Sequence, residues 1–158
     1  MNNEKTTTEE TENKLFEVIL EESEEITKER FFKMLASKED GLTLTIDRLG
    51  NTYTSKWKND KGETPSGFFI DYTFSIDDKD YQVGINYNVG VPISEETFIL
   101  TSGMNIFKIL AVAIDLSTAK QIKVTKSFLI DKLEGLTFQG ELGQGFNSFI
   151  IKPIKRIE

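Results

Sequence analysis

At 158 residues, 38% hydrophobic and 28% charged, the chain is long enough for one domain with a genuine core, or for one domain and an arm. It has no cysteine and no histidine, which excludes a disulfide scaffold, a thiolate zinc site and a thiol nucleophile, and removes the commonest general base and metal ligand. The net charge of −7 is unevenly spread: residues 1–40 carry −6, residues 41–119 carry −4 and residues 120–158 carry +3. The longest apolar run, Ile109 to Ile114, falls far short of the roughly 20 residues of a membrane helix, and the polar start Met1-Asn-Asn-Glu-Lys has no signal-peptide character. The expectation is a soluble, cytoplasmic protein with no membrane contact. Twelve Phe and one Trp make it aromatic for its size, and aromatics either fill cores or form flat binding surfaces.

Residues 1–13 contain no apolar side chain after Met1 and read as a disordered acidic tail. From Lys14 the spacing of Leu15, Phe16, Ile19 and Leu20, then Ile26, Phe31, Phe32, Met34 and Leu35, predicts an N-terminal helical segment over 14–38, of one or two helices. Such a segment packs on the domain's flank or acts as a partner-binding or dimerising arm.

After Gly41 the period falls to two. Leu42, Leu44 and Ile46 form a first strand, Phe68 to Ile76 a second and Tyr81 to Val89 a third; the last two pair as a hairpin across the polar turn Asp77–Asp80. Asn59–Gly67, rich in turn formers, predicts a long mobile loop. Ile106, Phe107, Ile109, Leu110, Ala113 and Ile114 predict a mostly buried helix capped by Ser102 or Gly103. The helical pattern fades beyond Thr118, a turn falls at Leu133-Glu134-Gly135, and strands follow over Leu136–Leu142 and Phe149–Ile157, joined by a turn at Gly143-Gln144-Gly145.

The order of elements is β-β-β-α-β-β over 41–158, which predicts a mainly β chain with added helices: a five-stranded OB-fold-like barrel with one helix between its third and fourth strands. From Phe68 to Ile157 the chain resembles the small phage-type single-stranded DNA-binding proteins with an OB fold. The resemblance is carried by Tyr81-Gln-Val-Gly-Ile-Asn-Tyr, Val91-Pro-Ile-Ser, Asn105-Ile-Phe-Lys-Ile-Leu and Leu133-Glu-Gly-Leu-Thr-Phe. It implies binding of single-stranded DNA, with bases stacked on exposed aromatics and phosphates met by Lys and Arg, in phage or mobile-element DNA replication or recombination. The acidic segment stands at the N-terminus, whereas many single-strand-binding proteins carry an acidic C-terminal tail, and the last residues here are basic.

Alternation identifies the candidate stacking residues. Phe69 falls among Asp71, Thr73 and Ser75 on the polar face of its strand, where the core does not explain it, although an N-terminal helix could cover it. Tyr53 and Trp57 interleave with Lys56 and Lys58, a pattern suited to tracking a nucleic-acid strand, although Trp57 could instead anchor the core. Tyr72, Phe74, Tyr81 and Tyr87 fall on apolar faces and are expected in the core. Lys56, Lys58, Lys152, Lys155 and Arg156 are the expected phosphate contacts, and so few cations imply a shallow salt dependence.

Catalysis would have to rest on carboxylates, and Asp77, Asp78 and Asp80 have the spacing of turn residues; no catalytic residue, metal ligand or cofactor site is expected. The competing reading is an acidic protein-interaction module, an inhibitor or adaptor, acting through the N-terminal helix and the barrel surface. Replication or recombination proteins are candidate partners of the N-terminal segment, and a homo-oligomer is open.

Overall fold

The structure is a computed structural model that describes residues 23–145 and 148–158. Its longest elements follow from strict alternation. In β4 (Ser66–Ile76) and β5 (Lys79–Gly90), Phe68, Ile70, Tyr72, Phe74, Val83, Ile85, Tyr87 and Val89 face inward and are buried. The two strands pair antiparallel along their whole length. Their turn is shorter than the sequence suggests. Asp77 and Asp78 take φ of 52° and 65°, which twists a two-residue turn to match the strands, while Lys79 and Asp80 already belong to β5.

β2 (Leu42–Leu49) pairs antiparallel with β4, and its other edge takes β8 (Thr137–Gln144), which in turn pairs with β9 (Phe149–Arg156). β1 (Glu24–Glu25) lies parallel on the outer edge of β5, held where Glu24 meets Arg30 at 2.6 Å and Lys79 at 2.7 Å. The order is therefore β1-β5-β4-β2-β8-β9, with β3 (Tyr53–Thr54) paired to the start of β4. A barrel of these strands would need a ladder between β5 and β9. None joins them among the described residues, so the sheet stays open and the expected closed barrel is not formed.

Three helices are described, and the first corrects the sequence reading. α1 spans Lys28–Ala36 and starts at Thr27, whose hydroxyl accepts the Arg30 amide at 3.1 Å. The charge-rich residues before it supply β1 rather than helix, and the rest of the expected helical segment, with the acidic tail, lies outside the described residues. Phe31, Phe32 and Leu35 of α1 enter the same core as the sheet, with Phe31 edge-on to Phe74 at 5.3 Å.

α2 (Asn105–Ala113) buries Ile106, Phe107, Ile109 and Leu110 as expected, but Met104 occupies its N-cap with no side-chain cap. Between β5 and α2 lies β6 (Thr97–Thr101), and after α2 come β7 (Gln121–Thr125), paired antiparallel to β6, and α3 (Lys126–Leu133). The sequence reading missed all three. Each is five to eight residues long, and in α3 only Lys126, Leu129 and Leu133 are buried while Phe128 and Ile130 face out, which blurs the apolar stripe. Among the described residues no helix is long and apolar enough to cross a membrane.

Candidate nucleic-acid interface

The outer face of β4 and β5 is built from short polar residues, and one aromatic stands on it. Phe69 is 49% exposed. Its cross-strand partner is Asn86, and its diagonal neighbour is Gly84, where a Cβ would come within 3.6 Å of the Phe69 ring.

Tyr53 completes the arrangement. Its phenol donates a hydrogen bond to the side-chain carbonyl of Asn86, and its ring lies 6.3 Å from that of Phe69 at 44°. To get there it crosses Gly67, its partner in the ladder, where a Cβ would sit 2.8 Å from the phenol oxygen. Only glycine at 67 lets this pair form. The exposed Phe69 ring and the half-buried Tyr53 ring, tilted together over a polar sheet, make a shelf of the size of a base or two.

The segment expected to be a long mobile loop is an ordered hairpin arm. Ser55 N–H donates to the Pro65 carbonyl at 2.8 Å and Asn59 N–H to the Glu63 carbonyl at 2.8 Å. At the tip the Asn59 side-chain oxygen accepts the amides of Lys61 and Glu63, both at 2.9 Å. The arm continues from β3, so it projects beside the shelf. It carries Trp57, 55% exposed, between the exposed Lys56 and Lys58, with Lys61 at the tip. Trp57 is therefore not a core anchor. Tyr72 and Tyr87 are, and their hydroxyls meet at 2.5 Å inside the core.

Of the expected phosphate contacts, Lys155 and Arg156 at the end of the chain lie away from the loop lysines. β2 and β8 separate β4 from β9, and Lys155 pairs with Gln139, which faces Thr43, seven residues along β2 from Gly50 beside Phe69. Along the sheet surface that is about 14 Å across and about 20 Å lengthwise. Arg156 is also engaged, donating to the Ala113 carbonyl at 3.3 Å.

Lys108 of α2 was not found from sequence, because a single lysine on a mostly buried helix carries no signal there. It lines a cleft of about 550 Å³ with Asn86, Asn88, Asn105 and Gln144, at the seam where β5 approaches the β8–β9 hairpin. The adjoining cleft shares Lys108, Gln144 and Ile150 and adds Lys152. Asn86 thus belongs both to the shelf and to the seam, and Lys152 is reached through the seam rather than across the sheet.

Further along the outer face, Glu25, Asp47 and Asp71 line a cleft with Arg48, whose guanidinium lies 3.3 Å from Asp71. Among the described residues no three carboxylates converge in a geometry that could hold a metal ion. Beneath the shelf, Lys126 is the one charged side chain that is buried among the described residues, at 8% exposure. Its ammonium donates to the Gly50 carbonyl at 2.7 Å and to the Thr52 hydroxyl at 3.1 Å, and lies 4.5 Å from the centre of the Phe68 ring. Burial lowers its pKa, and the carboxylates of Glu96 and Glu134 oppose that shift.

Comparison of the chain with protein-family models, with characterised proteins and with solved structures gives no match.

Proposed function

We propose that the chain is a non-enzymatic single-stranded DNA-binding protein, serving replication or recombination of phage or mobile-element DNA. The observation that carries the reading is the exposed Phe69, paired with the half-buried Tyr53, beside an arm that presents Trp57 between lysines. A ring with half its surface in water on the polar face of a strand gains nothing for the core, and it gains about 1–3 kcal/mol for each base it stacks. Lys56, Lys58 and Lys61 would meet phosphates beside the stacked bases, and the asparagine-lined seam with Lys108 offers a continuation towards Lys152. The order β5-β4-β2-β8-β9 of the five long strands, with α2, the β6–β7 pair and α3 inserted before the last two, is also what an OB-type barrel parted along the β5–β9 seam would present.

The acidic cleft of Glu25, Asp47 and Asp71 favours the second reading, a module that presents carboxylates to a basic protein partner. The test is titration of the purified protein with a single-stranded oligonucleotide and its duplex, following Trp57 emission. Preference for the single strand with quenching of Trp57 supports DNA binding. No binding of either form at micromolar protein rejects it and leaves the protein-partner reading.

A further inference from the structure

The shelf is held from below by a residue that cannot touch DNA. Lys126 begins α3, just after Thr125 caps that helix by accepting the Phe128 amide at 3.1 Å. Its buried ammonium spends two hydrogen bonds on Gly50 and Thr52, the turn between β2 and β3. The same turn is gripped twice more. The Thr52 hydroxyl donates to Glu96 at 2.9 Å, and Glu134 accepts the Leu49 amide at 3.0 Å. Gly50 then donates its own amide to the Phe69 carbonyl at 2.7 Å, and Tyr53 follows Thr52 directly. Both shelf residues are therefore bonded to, or continuous with, a turn whose carbonyl is fixed by one buried cation.

A buried ammonium is costly unless its protons are satisfied, and a well-packed aliphatic side chain would fill the same space without that cost. Retaining the charge at 126 has a use if the Gly50–Thr52 turn must be held in one geometry. We propose that Lys126 is a positioning residue of the single-strand site: it fixes the Gly50–Thr52 turn and, through it, the tilt of the Phe69–Tyr53 shelf. The inference rests on the DNA-binding reading for its functional consequence, while its structural half stands alone.

The test uses the full chain with Lys126→Met, Lys126→Arg and Thr52→Val, each alone and combined with Phe69→Ala. Affinity for a single-stranded oligonucleotide and hydrogen exchange at the Gly50 amide, which reports the bond to Phe69, are both read. Lys126→Met is expected to weaken binding about tenfold and to speed Gly50 exchange, with Lys126→Arg recovering part of both, and to cause no further loss once Phe69 is alanine. Thr52→Val, at a partly exposed site, removes the hydroxyl's bonds to both Lys126 and Glu96 without emptying the core and should act in the same direction; read against Glu96→Ala, which removes only the second, it decides the matter if Lys126→Met does not fold. Equal losses with and without Phe69, or unchanged Gly50 exchange, overturn the proposal. If the unsubstituted protein binds no oligonucleotide, the DNA reading falls, and Gly50 exchange still decides whether Lys126 holds the turn.

Discussion

Tyr53 and Phe69 lie with their rings 6.3 Å apart at 44°, and the tyrosine hydroxyl is bonded to Asn86, the cross-strand partner of that same phenylalanine. Three strands, β3, β4 and β5, therefore agree on the position of a single surface. Phe69→Ala should weaken single-strand binding by about 1–3 kcal/mol while changing thermal stability by less than about 0.5 kcal/mol, because the ring is half in water. Fluorescence titration and a melting curve of the variant check this, and unchanged affinity would remove the shelf from the site.

The arm contributes charge as well as an aromatic. With Lys56, Lys58 and Lys61 as its phosphate contacts, the logarithm of affinity should fall with the logarithm of salt at a slope of about −2, and Lys58→Glu should flatten it by about 0.7 or more. Titrations at several salt concentrations measure both. A slope several times steeper would place the main contacts on other cations.

The seam predicts a dependence on length. Lys108→Glu and Lys152→Glu should weaken binding of an oligonucleotide of about 16 nucleotides while leaving one of about 4 nucleotides nearly unaffected, since the short strand is satisfied by the shelf. Equal effects on both lengths would show that the two clefts are not a continuation of the shelf.

Tyr72 and Tyr87 make a stability prediction independent of function. Burial pushes both phenols above their ordinary range. A phenol harder to ionise folded than unfolded stabilises the fold fully below pH about 10, and that contribution is lost as pH rises further. Alkaline unfolding should therefore begin above pH about 10. Tyr72→Phe alone leaves a buried hydroxyl unpaired and should cost about 1–3 kcal/mol; adding Tyr87→Phe should recover part of the cost and extend stability to higher pH. Denaturant melts at pH 7 and pH 11 distinguish these outcomes, and an unchanged alkaline limb in the double variant would assign it to other groups.

Alternation with a period of two was enough to locate β2, β4, β5, β8 and β9, and to divide Tyr72, Phe74 and Tyr87 from Phe69, because a strand's side chains point by turns to opposite faces whatever it packs against. It failed where elements are short or the stripe is mixed. β6 and β7 have five residues each, and α3 shows Phe128 and Ile130 to solvent. It failed also at Glu24–Glu25, where an edge position on β5, fixed by Arg30 and Lys79, outweighs the helical preference of a glutamate-rich run.

By itself the sequence determined the mainly β character and the inward and outward faces of the long strands, with Phe69 on an outward one, since those depend on local spacing. Only the tertiary structure decided that the sheet stays open among the described residues, that Phe69 is left uncovered, that Tyr53 reaches it across Gly67, that Lys155 and Arg156 lie far from the arm, and that Lys126 is buried beneath the shelf. Each of these depends on which strand edges meet and on residues distant in the chain: Lys126 finds its partners at Gly50 and Thr52, more than seventy positions away. No local period encodes such a contact, because the energy that fixes it comes from packing around the whole core.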